Sequence, residues 1–235
     1  MSRLGEIKKP VEKNLKEFDD MFREYMSSKV PLLNIITRYV LKTKGKQLRP
    51  LLVFLSAKLC GEVNQGTNVG AIMVELLHTA SLVHDDVVDD AHERRGFLSI
   101  NALWKSKVAV LMGDYLLAKG LLISLNNDKF SFLKTLSEAV EQMSEGELLQ
   151  LQKSRHSNTT EEDYFEIIKS KTASLIAACT KCGSQSVTDD EEVINKMYQF
   201  GINIGMAFQI KDDLFDYEST TITGKPKGND IKEKK

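Results

Sequence analysis

The chain has 235 residues, with 32 Lys plus Arg against 33 Asp plus Glu and 42% hydrophobic residues. A net charge of −1 excludes the basic surfaces of nucleic-acid binders and of proteins that adhere to anionic lipid. The length suits a single domain over residues 1–235 with a substantial core.

Pro10, Pro31, Pro50 and Pro226 are the only prolines, so residues 51–225 are free of proline and favour helix. Residues 4–27 read as an amphipathic helix with Ile7, Val11, Leu15, Phe18, Phe22 and Met26 inward. A short helix at 32–41 leads to a basic loop, KTKGKQLRP, and Pro50 suits the first position of a helix running to 59. Further helices are expected at 67–91, 101–125, 129–153, 160–182 and 189–216, with a charged loop at 92–98 and no strands. Thr160 and Asp163 predict a capped helix start, and Gly183 a helix stop. The most apolar window, 108–125, is interrupted by Asp114 and Lys119 and reads as a buried helix, with no transmembrane span. Asp114 is expected to pair with a buried cation. Three cysteines make no disulfide framework, and Cys179 and Cys182 form a lone C-x-x-C without a second pair. A reducing, cytoplasmic setting is the expectation. The architecture is all-α, with helices around a deep central cavity.

Residues 75–96, ELLHTASLVHDDVVDDAHERRG, hold the chain's most unusual chemistry. Val69, Ile72, Met73, Leu76, Ala80, Val83 and Val87 share one helical face, while His78, Asp85 and Asp89 form a row on another. Asp86 and Asp90 lie one step round. Carboxylates at a helix C-terminus each cost roughly 0.3–1 kcal/mol against the macrodipole. Two of them about 5 Å apart repel by roughly 3 kcal/mol at an effective dielectric of ~20. Bound cations remove both penalties, and an all-oxygen site suits Mg²⁺ or Ca²⁺. A second apolar helix, GINIGMAFQIKDDLFDY, repeats the pattern at Asp212, Asp213 and Asp216, with Gly205, Gln209, Asp212 and Asp216 on one face. Facing each other, the two acid-tipped helices make a cavity in which several divalent ions clamp a diphosphate.

Cationic side chains stand where such a ligand needs them. Lys46 and Arg49 flank Gly45 at a helix N-terminus, Arg94 and Arg95 follow the first acidic cluster, and Lys225 follows the second. Taken singly, each could be an exposed basic loop. Glu75 and His78 form a Glu-x-x-His, which a di-iron bundle would need twice.

The set GKxxRP, ELLHTASLVHDDVVDDAHERRG, Lys171–Thr172, FQIKDDLFD and GKPKGND resembles the trans-isoprenyl diphosphate synthases, or polyprenyl synthetases, in order and over residues 45–235. The resemblance implies an antiparallel helical bundle, a homodimer, and Mg²⁺-dependent head-to-tail condensation of isopentenyl diphosphate onto an allylic diphosphate. Asp85, Asp89 and Asp212 would then ligate three Mg²⁺ ions, with Asp86, Asp213 and Asp216 acting through metal-bound waters. Arg94, Lys171, Lys225 and Lys235 would bind the allylic diphosphate. Lys46, Arg49, His78 and Arg95 would hold isopentenyl diphosphate, with Gly45 giving backbone room. Thr172 and Gln209 would place dipoles near the allylic cation. Bulky aromatics close the cavity floor in short-chain members. Here Ala80 and Ser81 occupy those places, with Leu77 and Val74 below, so a long-chain polyprenyl product is expected. MSEGELLQLQ also resembles long-chain members. Gly146, Glu147 and Gln150 stand where short-chain members have Gly-Gln-x-x-Asp, so no catalytic Asp is carried over there.

Two rivals differ in kind. A class I terpene cyclase shares the first aspartate cluster but carries an Asn/Ser/Glu-type second site and lacks the GKxxRP pair. A non-catalytic subunit would share the fold. The family continues past the lysine-rich loop with further helices that help seal the cavity. A chain stopping at Lys235 is therefore expected to turn over slowly or not at all.

Overall fold

The computed structural model describes residues 3–43, 45–94, 96–156 and 159–217, the side chains of His156, Asp216 and Tyr217 excepted. Helix α5 (Gln65–Val88) is the central element, packed against α2 (Glu12–Tyr25), α4 (Leu48–Cys60), α6 (Ile100–Asn126) and α9 (Ser174–Gln185). It is buried over most of its length, which explains why its apolar positions run wider than a single stripe. Asn64 begins it with a capping box to Thr67. The core joins Phe18, Phe54, Ile72, Met73, Leu76, Met112, Leu116 and Phe132 from five helices. Burying each such side chain contributes about 1.5–3 kcal/mol.

Several expected boundaries move, each for a local reason. The first helix is divided into α1 (Arg3–Lys8) and α2 by a 3₁₀ turn at Lys9–Val11, where Pro10 lacks a donor N–H; Ile7, expected inward, is 51% exposed. α3 (Pro31–Lys42) follows. α4 starts two residues before Pro50, behind Gln47 in the left-handed region (φ 54°). α5 ends at Val88 rather than 91, so Asp85 and Asp86 are helical, Asp89 caps the end and Asp90 has φ 47°.

The loop expected at 92–98 contains a short hairpin, β1 (Glu93–Arg94) with β2 (Phe97–Leu98), turning at Gly96 with φ 75°. α6 is interrupted at Lys105 (φ 70°, ψ 159°), and α7 (Phe130–His156) extends past its expected end. The helix expected at 160–182 is three segments: α8 (Glu161–Ile168), a π-helical turn at Lys169–Ala173, and α9. Gly183 does not stop α9. A Cβ there would lie 2.4 Å from the Val53 carbonyl oxygen, so this glycine serves close packing on α4. α10 (Glu191–Tyr217) packs against α9 and the π turn.

Asp114 is not buried with a cation: its side chain is 61% exposed and lies 3.4 Å from Nε2 of His84. The Cys179 and Cys182 thiols are free and buried, with Cys182 in the core beside α4 and α5, a packing role. α6 is not the buried helix expected over 108–125: it is long and apolar enough to cross a membrane by length and composition, and only 39% of its most apolar window is buried. Leu103, Val110, Leu111, Leu121, Leu122 and Leu125 leave an exposed apolar face along it.

Candidate active site

A cavity of about 830 Å³ opens where α3, the basic loop, α4, α5, the hairpin and α10 meet. α5 contributes Glu75, His78, Thr79, Leu82, Val83 and Asp86 to its wall; Gly45, Lys46 and Arg49 come from the basic loop and the start of α4. Phe208 and Asp212 of α10 lie on the same cavity, so the second acid-tipped helix faces the first, as the sequence implied. Arg49 Nη1 donates to Nε2 of His78 at 2.8 Å. Tyr39 donates its hydroxyl to the Leu98 carbonyl at 2.6 Å, tying α3 to the hairpin at the rim. Asp86, nearly inaccessible, accepts from Arg94 Nε at 2.6 Å.

Asp85 faces a different neighbourhood. Seven residues along an α-helix leave it roughly 20° from His78, on the side away from Asp86. Burial pushes its carboxyl above the usual carboxylate range; the Glu147 carboxylate adds to this, Lys171 and Arg94 oppose it, and Asp89 raises it further. Lys171, on the π turn, is bound by Glu147 at 2.5 Å and donates to Gln150 Oε1 at 3.1 Å. Gly146 permits this, because a Cβ there would lie 3.0 Å from the Lys171 backbone nitrogen. π turns are frequent at functional sites.

A second cavity of about 610 Å³ lies between α7, α8, the π turn and α10. Lys171, Thr172, Gln209 and Asp213 line it with Gln150, Tyr164, Ile167 and Leu214. Thr172 donates to Gln209 Oε1 at 2.8 Å, and Gln209 Nε2 donates to Asp213 at 2.7 Å. Gly205 makes the pairing possible: its Cα hydrogen faces Ala173, whose Cα would be 2.5 Å from an added Cβ. α10 thus separates two wall sets, Phe208 and Asp212 on one cavity and Gln209 and Asp213 on the other.

The sequence matches the Polyprenyl synthetase family over residues 30–235. The chain belongs to that family. It is 38% identical to the all-trans-nonaprenyl-diphosphate synthase (geranyl-diphosphate specific) of Rhodobacter capsulatus, over 98% of this chain and 71% of that one. Identity to the octaprenyl diphosphate synthase of Escherichia coli strain K12 is 35%, over 90% of this chain and 66% of the relative. The polyprenyl synthase from Caulobacter crescentus CB15, solved with calcium and isoprenyl diphosphate, superposes with a TM-score of 0.91 at 34% identity, covering 98% of this chain and 70% of that one.

In this polyprenyl synthetase the acidic residues are placed less uniformly than their spacing suggested. Asp85 is within reach of the charges of Glu147 on α7 and Lys171 on the π turn, whereas Asp86 and Asp212 line the larger cavity. Among the described residues no three Asp, Glu, His or Cys side chains converge closely enough to cage an ion by themselves. The donors nevertheless suit a hard cation: the Glu147 and Asp89 carboxylates add to the burial that raises the Asp85 carboxyl, and Mg²⁺ characteristically takes one or two carboxylates and completes its shell with water and phosphate oxygens. Asp86 and Asp213, which the resemblance assigns to metal-bound waters, accept from protein groups, Arg94 for one and Gln209 and Tyr164 for the other. Ala80 and Val74 are buried in the core, Leu77 and Ser81 are half-buried, and none of the four lines either cavity. Arg95, Lys225, Lys235 and the side chain of Asp216 lie outside the described residues. Sequence reasoning missed Tyr39, Tyr164 and Phe208, which no local pattern distinguishes from packing aromatics; the adjacency of Phe208 to Gln209 was the one available signal.

Proposed function

We propose that this polyprenyl synthetase joins isopentenyl diphosphate head-to-tail to an allylic diphosphate, repeatedly, to give a long-chain polyprenyl diphosphate, with Mg²⁺ as its metal. The observation that carries the reading is the shared cavity, in which Lys46, Arg49 and His78 meet Asp212 from the opposite acid-tipped helix. Its long-chain relatives named above support the product class.

The roles follow from charge and reach. Lys46, Arg49 and His78 hold the diphosphate of isopentenyl diphosphate, and Gly45 leaves room for backbone approach. Lys171 and Arg94 face the allylic diphosphate, each exchanging a carboxylate partner for phosphate oxygens. Asp85 and Asp89 on one side and Asp212 on the other would hold magnesium ions together with phosphate oxygens, and the metal would neutralise the departing diphosphate. Thr172 and Gln209 turn oxygen dipoles toward the cation left behind, and the apolar walls exclude water from it. Val74, Leu77, Ser81 and Asp85 form one row along α5 that lines neither cavity, so a growing chain directed down that row from the acidic end has to part the packing there as it lengthens.

A homodimer completes the proposal. A second copy of the chain covers the apolar face of α6, whose six exposed aliphatic side chains need burial. Incubation with farnesyl diphosphate, isopentenyl diphosphate and Mg²⁺, followed by sizing of the products, tests the reaction. Cyclic hydrocarbon products, or none, would sink it.

A further inference from the structure

Four polar side chains of the smaller cavity form a hydrogen-bonded relay whose direction is fixed by chemistry. A carboxylate only accepts, so Tyr164 donates its hydroxyl to Asp213 Oδ2 at 2.6 Å and Gln209 donates Nε2 to Asp213 Oδ1 at 2.7 Å. With its NH₂ committed, Gln209 presents Oε1 to Thr172, whose hydroxyl must donate across 2.8 Å. The relay ends on the remaining lone pairs of Gln209 Oε1 and Thr172 Oγ1. These are the electron-rich ends of two dipoles. An amide is nearly isosteric with its flipped form. If Asp213 were loosely held, Gln209 could turn N–H into the cavity, where it would repel positive charge.

We propose that Tyr164 is a positioning residue for prenyl transfer: by holding Asp213, it locks the Gln209–Thr172 pair with oxygen lone pairs toward the developing allylic cation. The proposal rests on the role given to Thr172 and Gln209 above. Tyr164 is well placed for this work because it belongs to a third element. Asp213 and Gln209 are both on α10, four residues apart, and cannot by themselves fix α10 against the π turn. Tyr164 lies on α8, which runs directly into that turn. The start of α8 is itself held, by the Thr160–Asp163 capping box and by Lys153 of α7 at 2.9 Å from Asp163. The tyrosine ring meets Phe165 edge-on at 5.4 Å between centroids. The backbone that carries the tyrosine is thus held independently of its hydroxyl.

Tyr164→Phe keeps the ring and removes the donor. The expected result is a fall in kcat of about tenfold, with KM for both diphosphates within about twofold of wild type, the signature of an interaction used in the transition state. Gln209→Ala with Tyr164→Phe should be no slower than Gln209→Ala alone, because the dipole that Tyr164 orients has gone. An unchanged kcat, or a loss confined to KM, overturns the proposal. Melting temperatures of the two single variants and the double variant read the coupling without turnover. Losses that fall short of additivity by about 2 °C or more support the relay; additive losses overturn it. Wild-type protein without polyprenyl synthesis would overturn the parent reading, and with it the cation-facing role, whatever the melting curves show.

Discussion

Arg49 and His78 meet at 2.8 Å across the junction of α4 and α5, on the wall of the larger cavity. Every guanidinium N–H is a donor, so Nε2 of His78 accepts and the imidazole carries its single proton on Nδ1. The pair is a fork aimed by a neutral histidine. Arg49→Lys keeps the charge but not the fork, and His78→Ala removes the aim. Each should raise KM for isopentenyl diphosphate about tenfold while leaving KM for the allylic substrate within about twofold. Steady-state kinetics with each substrate varied in turn decides it; equal effects on both KM values would sink the assignment.

The buried Asp86 carboxylate and Arg94 form the tightest link between α5 and the hairpin, 2.6 Å apart. Arg94→Ala leaves a buried charge without this partner. A fully buried pair loses about 3–5 kcal/mol on such a cut. Arg94 is 35% exposed, so solvent screening reduces this to about 2 kcal/mol. Melting should fall by about 4–8 °C, and Asp86→Asn in the same protein should restore part of it.

Gly205 is required by the approach of α10 to the π turn. In Gly205→Ala the new methyl would meet the Ala173 backbone at 2.5 Å, and neither backbone can yield without separating Gln209 from Thr172. The expected loss is about 1–3 kcal/mol of stability, with kcat falling further than the equivalent change at the exposed Asn203. Denaturant unfolding and kinetics on both variants check this.

Ser81 is half-buried, one turn before Asp85, and donates its hydroxyl to the His78 carbonyl at 2.9 Å. Ser81→Phe should shorten the polyprenyl product by plugging the row below Asp85. Chromatographic sizing of products reads this directly, and an unchanged distribution refutes the open floor. Ala80→Phe is a poorer probe, because Ala80 is 3% exposed in the core and overpacking there costs about 1–3 kcal/mol.

Burial raises the Cys179 thiol from 9.0 to about 12 and pushes Cys182 up as well. Their folded values lie above the unfolded ones, so the stability they contribute is complete below pH 9 and is lost as pH rises toward 12. Each unit of pH within that window costs about 1.4 kcal/mol per thiol. Unfolding midpoints measured from pH 8 to 11 should therefore fall once pH passes 9, and less steeply in Cys179→Ala. Iodoacetamide at pH 8 should label Cys60, which is partly accessible, and reach the other two only after denaturation.

Much of the architecture was legible because its causes are local. Apolar spacing, the absence of proline between 51 and 225, and the Thr160 and Asp163 cap each act within a few residues, and α5, α7 and α10 were found near their observed bounds. The hairpin was not, since a two-residue ladder has no period to detect. The π turn was not either, because one residue's change of winding leaves the apolar pattern almost intact.

The amino-acid order alone determined that two apolar helices end in clustered aspartates and that cations follow them, for charge and periodicity are properties of a single segment. Only the packed molecule decided which carboxylate meets which cation. Asp86 took Arg94, Glu147 took Lys171, and Asp213 took Tyr164 from 49 residues away. Periodicity sets angles within one helix; how far each helix is turned about its own axis toward its neighbours is settled by the core and by close approaches such as Gly205 on Ala173.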